Sequence, residues 1–389
     1  MGLDFKDLLL LLGISQLAAI ATVRSGISAL GVYLLVGMLL GPHGLGLVNG
    51  YVEGSLVSLA MLFLVFYAGL NVDFKSLKNH VLEAALATSL GVALTMAFTY
   101  ASSRYLGLDV VPSLVVGVSL SNTATEVAVL LMDRLGSYGG LKDVIVSASF
   151  MDDLIIVFVT SLTEVLVVND VLTPAFNVVK QALVLGLPLL TAYVAVRLSE
   201  GYVRIFSWEE FVITLSSAFF LLSYLSMALG VNEVLGAYVA GLVFSMFKLL
   251  RDPTLRYVTR FNEFMEDAAT VLKFFVVPIF FVSVGLHVDF TSVDLKFFAV
   301  LLTSAFLGKF LGSLAYVAVE GGLRSLREGV LMGLAMNVRG SLEPALAITA
   351  FNVGLIDSRV LTAVLLISMT SSLVIPFALS LLSRFFRGG

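Results

Sequence analysis

Thirteen long apolar runs follow one another along this 389-residue chain, at about 6–23, 27–41, 54–72, 81–103, 111–133, 143–167, 175–196, 209–229, 232–247, 264–287, 297–318, 328–353 and 360–383. A helix needs about 20 apolar residues to cross the hydrocarbon core of a bilayer. Thirteen such spans use about 260 residues, which leaves only short loops and no room for a soluble domain. Membrane-spanning strands would show short stretches of alternating polarity, and these runs are long and uniformly apolar. The sequence therefore predicts an all-α polytopic membrane protein with about thirteen transmembrane helices. Composition agrees: 59% of residues are hydrophobic and only 13% charged, against about 45–50% and about 25% in soluble domains. The formal charge of -4 comes with no basic stripe, so no nucleic-acid partner is expected. The chain has no cysteine, which excludes disulfides, thiolate metal sites and thiol catalysis. Asp4 and Asp7 stand where a signal peptide would be positive, so the first run is expected to be retained.

If the runs span, the loops alternate between two sides. The N-terminal side holds four cations, Lys6, Arg104, Lys296 and Arg359, and the other side holds fifteen; the remaining four of the 23 lie inside runs. Cytoplasmic loops carry the excess of Lys and Arg, so the N-terminus is expected outside and the C-terminus in the cytoplasm. The chain also repeats itself. GLNVDFKS (residues 69–76) returns as GLHVDFTS (residues 285–292), a shift of 216 residues, and the same shift carries Gly117 of GVSLSNTATE onto Gly333 of GLAMNVRGSLE. Chance similarity of apolar sequence is a poor explanation, because the matched residues include Asp73 and Asp289. The equivalents lie seven spans apart, an odd number, which makes the halves inverted-topology repeats. One transmembrane domain is expected: an extra helix over 1–25, a first repeat over 27–167, linking helices over 175–229 and the inverted second repeat over 232–386.

Charges inside a bilayer cost about 2.5–3.5 kcal/mol each on insertion scales, so those in spans need a partner or a function. Asp152 and Asp153 stand together in SASFMDDLIIVF. Adjacent buried carboxylates disfavour each other's ionisation, so such a centre holds either a proton or a hard monovalent cation. The plainer alternative is an acid pair satisfied by hydroxyls and a lysine. The run SLSNTATE offers Ser121, Asn122, Thr123 and Thr125, which compete for backbone hydrogen bonds, and ends in Glu126. Its repeat-mate AMNVRGSLEP has Gly340 to loosen the helix and Pro344 to interrupt it. Interruptions at matching places in two halves point to a midplane site. Broken helices there expose N–H and carbonyl groups: Glu126 suits exposed N-termini, and Arg339 or Lys309 suits exposed C-termini. Arg339 and Glu343 also read as a simple i,i+4 ion pair. Lys309, between Gly308 and Gly312, sits where another helix can approach closely. It is a candidate counter-ion of the aspartates, released when a cation displaces it. Lys180 and Lys273 lie nearer span ends and read as snorkelling side chains. His43, His80 and His287 fall in or beside loops.

The stretches GMLLGPHGLGLV (37–48), LFLVFYAGLNVDFKSL (62–77), LGAYVAGLVFS (235–245) and VPIFFVSVGLHVDF (277–290) resemble the signature segments of the monovalent cation/proton antiporter-2 family. The likeness runs from about residue 27 to the C-terminus. It implies a fold with two crossed broken helices, an ion-binding core and a dimerisation domain. The aspartate pair of electrogenic sodium/proton antiporters falls on Asp152 and Asp153, the second being the cation and proton carrier. The threonine and acid of the broken helix fall on Thr125 and Glu126, the lysine on Lys309, and the RG element on Arg339 and Gly340. Where the family often reads RGE, this chain reads RGSLE. The nucleotide-binding domain of potassium-efflux members finds no counterpart.

The expectation is thus a multi-pass sodium/proton antiporter of the cell membrane working by alternating access, with Na+ (or Li+) and H+ as substrates and a homodimeric assembly. It would be neither an enzyme nor dependent on a cofactor. Ion or proton binding falls to Asp153, Asp152, Thr125, Ser121 and Asn122, with the sodium ligands at Asp153 and Asp152, and charge compensation or proton coupling to Lys309, Glu126, Arg339 and Glu343. A potassium/proton antiporter and a sodium-coupled organic anion symporter of related fold are the alternatives. No filter-like loop supports a channel.

Overall fold

The computed structural model describes residues 3–25, 29–124, 141–166, 172–198, 207–249, 256–314, 323–340 and 342–387. Over these the chain is helical, with no β-strand. The helices are α1 (Phe5–Ser25), α2 (Ala29–Leu40), α3 (Gly54–Asn71), α4 (Phe74–Asn79), α5 (Val81–Tyr105), α6 (Val110–Ser119), α7 (Leu141–Leu166), α8 (Leu172–Leu198), α9 (Trp208–Ala228), α10 (Glu233–Met246), α11 (Arg256–Val271), α12 (Val277–Leu286), α13 (Leu295–Ser313), α14 (Leu323–Ala335), α15 (Leu342–Asn352) and α16 (Ser358–Arg387). Six described helical stretches are long and apolar enough to cross a membrane: Gly54–Asn71, Val81–Tyr105, Trp208–Ala228, Tyr257–Leu286, Leu295–Ser313 and Ser358–Leu379. Shorter apolar helices cover Ala29–Leu40, Val110–Ser119 and Val178–Val194.

Local chemistry sets several boundaries. Ser207 caps α9 by accepting from the Glu210 N–H while the Glu210 carboxylate accepts from the Ser207 N–H, a reciprocal capping box. Asn232 caps α10 and Asp294 caps α13 through their side-chain oxygens. The Asp294 carboxyl is held below the ordinary carboxylate range by the Phe297 N–H that it accepts. Arg359 adds a 2.7 Å ion pair to it. Three expected spans differ in detail. The run 264–287 belongs to a longer helical stretch from Arg256, widened into a π-turn at Leu272–Val276. The runs 111–133 and 328–353 do not continue as uninterrupted helices, as their Gly, Ser and Asn content foreshadowed: α6 stops at Ser119 and α14 at Ala335. These stops lie 216 residues apart, the shift that relates Gly69 to Gly285.

The chain divides into two compact units, one of residues 1–58, 80–156 and 277–389, the other of residues 59–79 and 157–276. In the first, α5 and α13 pack together, and at Gly308 and Gly312 their backbones meet directly. A Cβ on Gly308 would lie 2.5 Å from the Thr95 Cα, and one on Gly312 would strike the backbone of Gly91. The same unit packs α2 on α12 with Gly37 against Val282 and Gly285. In the second unit, α3 meets α10 in the same manner, Gly69 against Tyr238 and Gly241. Small residues at these crossings let backbones approach where lipid offers no hydrophobic drive for association. Beside the α3/α10 crossing, Phe66, Phe211, Phe219 and Phe244 build an aromatic core.

Gly308→Val forces α13 off α5 and should destabilise the protein by about 1–3 kcal/mol. Thermal unfolding in detergent should show a lowered midpoint, whereas Gly13→Val, whose new Cβ meets nothing within 4 Å, should leave it unchanged.

Candidate functional site

Both interrupted helices end inside the first unit. After α6 the chain turns at Leu120 and Ser121 and runs extended over Asn122–Ala124; after α14 it turns at Met336 and Asn337 and runs extended over Val338–Gly340. The extended pieces bind each other: the Ala124 N–H donates to the Val338 carbonyl at 2.9 Å. Thr123 Oγ1 lies 2.7 Å from the Met336 carbonyl. Pro344 falls in the first turn of α15, where its missing N–H leaves no helical bond unmade.

A helix end at membrane depth leaves carbonyls without partners. Here the Ser121 hydroxyl takes the Gly117 carbonyl of α6, and two cations serve the carbonyls of the turn that follows. Lys309 Nζ donates to the Ser121 carbonyl at 2.6 Å. Arg339 Nη1 donates to the Leu120 carbonyl and, at 2.9 Å, to the Asn122 carbonyl. Ser372 on α16 donates to the Arg339 carbonyl at 2.8 Å and anchors that segment. On its way to the break the Lys309 stem passes Gly91: a Cβ there would sit 3.4 Å from Lys309 Cδ, an ordinary van der Waals contact.

Lys309 Nζ also donates to Asp152 Oδ2 at 2.5 Å, and both side chains are 0% exposed. The same oxygen lies 2.6 Å from Thr123 Oγ1. The Thr123 hydroxyl has one proton and two acceptors in reach, so it donates to Asp152 or to Met336 at any moment. Asp152 Oδ1 and Asn122 Oδ1 are buried without a hydrogen-bond partner. Asp153, one residue on, points elsewhere from α7: it is half-buried, and its charge acts on Lys309. Opposite the break, Arg339 Nε lies 3.9 Å from Glu343 Oε2.

The structure therefore brings Ser121, Asn122, Asp152, Lys309, Arg339 and Glu343 into one cluster, with Asp153 at its edge. Thr125 and Glu126 lie outside the described residues. Arg339 and Glu343 form the expected i,i+4 ion pair at 3.9 Å, although Arg339 belongs to the extended segment and only Glu343 to α15. Thr123 stood in the sequence run, but its role as a bridge between the two breaks did not. Ser368 and Ser372 on α16 went unread; the signal for them was a cluster of serines, 368, 371 and 372, within an apolar run. Lys180 is half-buried beside the Gly230 turn, and Lys273 is exposed in the π-turn. His43 forms a 3.4 Å contact with Asp289. The Asp289 carboxyl is held below its ordinary range, foremost by the Thr291 hydroxyl that donates to it.

Residues 9–384 match the sequence profile of a family described as the sodium/hydrogen exchanger, transmembrane. The chain belongs to that family. It is a multi-pass membrane protein. A Na(+)/H(+) antiporter of Enterococcus hirae is 24% identical over 369 residues, covering 93% of each chain. The Na(+)/H(+)-K(+) antiporter GerN of Bacillus cereus is 23% identical over 385 residues, covering 96% of this chain and 94% of its own. Among solved structures, the sodium proton antiporter MjNhaP1 of Methanocaldococcus jannaschii superposes with a TM-score of 0.74 at 16% identity, over 96% of both chains. That likeness extends over nearly the whole of the helical architecture described above.

Removing one partner of a buried ion pair strands a charge and costs about 3–5 kcal/mol. Asp152→Asn and Lys309→Met should each lower the unfolding midpoint, and the double substitution should recover most of the loss. Additive losses in thermal unfolding of the four proteins would show that the two side chains do not depend on each other.

Proposed function

We propose that the chain exchanges Na+ for H+ across the cell membrane by alternating access. The observation that carries this reading is the buried Asp152–Lys309 pair set on the carbonyls of a broken helix, with a second, half-buried aspartate beside it. The family and the named relatives support it independently.

Asp153 is the group that takes and releases the cation. It is accessible enough to receive one, and Asp152 Oδ1 and Asn122 Oδ1 supply buried oxygens with no other duty. A proton on the aspartate centre removes the charge that holds the metal, so the two occupants exclude each other. A cation arriving at Asp153 also weakens the hold of Asp152 on Lys309. The ammonium, buried and losing its counter-ion, can then give up a proton. Each cation entering thus drives at least one proton off, and reversal of the steps on the other side completes the cycle. Thr125 and Glu126 are placed by resemblance at the first break, as ion ligand and as compensation for an exposed helix N-terminus. Glu343 stands beyond Arg339, in charge compensation or proton coupling. The two halves act as inverted repeats around this site, with the N-terminus outside, the C-terminus cytoplasmic and two copies forming a dimer. Potassium is the second candidate cation, because GerN carries both ions in its name.

In proteoliposomes with an imposed pH gradient, adding Na+ should dissipate it in the native protein and not in Asp153→Asn; exchange surviving in that variant would refute the carrier assignment. Lys309→Ala should shift the pH dependence or the electrogenicity, and unchanged behaviour in both would reduce Lys309 to a structural part. Adding K+ in place of Na+ reads the selectivity. Orientation is tested separately, since the cysteine-free chain accepts single thiols. Lys78→Cys should react only from the cytoplasmic side and Tyr105→Cys only from outside.

A further inference from the structure

Hydrogen bonds around the second break are unevenly spent. Arg339 commits Nη1 to the Leu120 and Asn122 carbonyls, while its Nε has no hydrogen-bond partner. Glu343 Oε2 lies 3.9 Å from that Nε, beyond hydrogen-bond reach, and neither Glu343 oxygen accepts a bond from the protein although the side chain is 0% exposed. Ser368 on α16 turns a buried hydroxyl toward the carboxyl. An ionised carboxylate in such surroundings is costly unless paired and hydrogen-bonded, whereas the neutral acid is tolerated and has a proton to donate.

We propose that Glu343 is a second proton-binding residue of the exchange cycle, linked through Arg339 to the carbonyls of the first break. The proposal rests on the exchange reading above. With Glu343 protonated, Arg339 stays on the Leu120 and Asn122 carbonyls. Loss of that proton makes Glu343 the strongest acceptor within reach of the guanidinium. Closing the 3.9 Å gap draws Arg339 off the break and frees carbonyls beside Asp152. Proton release at Glu343 and cation capture at the first break then favour each other, and by linkage the reverse holds equally. This is the sign that antiport requires.

Among the described residues, the groups facing Glu343 are few. Arg339 comes from the extended segment, with Asp152 acting on Arg339 from its far side. Helix α16 brings the Ser368 hydroxyl and keeps its arginines, Arg359, Arg384 and Arg387, near its ends. Helices α6 and α12, which also pack on α15, carry no ionisable side chain.

Infrared difference spectra of the full-length, reconstituted protein, recorded on adding NaCl at fixed pH, test the proposal without requiring transport. A protonated carboxyl carbonyl band should disappear on sodium addition in the native protein. Part of that loss should be missing in Glu343→Gln and should return in Glu343→Asp. Identical native and Glu343→Gln spectra would overturn the proposal. Ser368→Ala, which leaves the carboxyl in place, serves if Glu343→Gln does not fold: it should shift the Glu343 band, and an unmoved band would equally overturn it. Exchange persisting in Asp153→Asn would instead strike the carrier assignment, which these spectra do not decide.

Discussion

A helix that stops inside a bilayer leaves carbonyls with no water to receive them, and the site is organised around that constraint. Two cations answer it at the end of α6. Lys309 takes the Ser121 carbonyl, and Arg339 takes those of Leu120 and Asn122. Each cation then needs an anion, which Asp152 provides for Lys309 at 2.5 Å. The chemistry of ion exchange is in this sense a consequence of interrupted secondary structure: the break creates the acceptors, the acceptors recruit the cations, and the cations bring a carboxyl group deep inside protein.

Tandem aspartates on one helix face different surroundings, and their labour divides accordingly. Successive residues on a helix point about 100° apart, so only one of the two can look into the break. Asp152 does, and is bound by Lys309 and Thr123. Asp153 sits half-buried, and its charge still acts on Lys309.

Much of this was legible in the sequence. The apolar runs gave the all-helical membrane architecture, the 216-residue repeat marked two equivalent interruptions, and mid-span charges named Asp152, Lys309 and Arg339. What stayed hidden depended on rotation and tertiary approach. Nothing in a sequence states which aspartate of two neighbours turns toward Lys309, because that is fixed by how α7 lies against the breaks. Thr123 read as one more hydroxyl in a polar run; its value comes from the Met336 carbonyl, 213 residues away. Ser368 and Ser372 are single hydroxyls in an apolar helix, each weak alone. The start of the helix at Arg256 was masked by the charged residues of α11, which interrupt the apolar pattern without interrupting the backbone.

The backbone contact between α5 and α13 carries a mechanical consequence. The two backbones touch through Gly91 and Gly312, and the methylene stem of Lys309 runs past Gly91 in ordinary van der Waals contact. A lysine on a free surface could swing aside through its rotamers. This one is fully buried and donates to both the Ser121 carbonyl and Asp152, so a sideways swing would give up both bonds at once with no water to replace them.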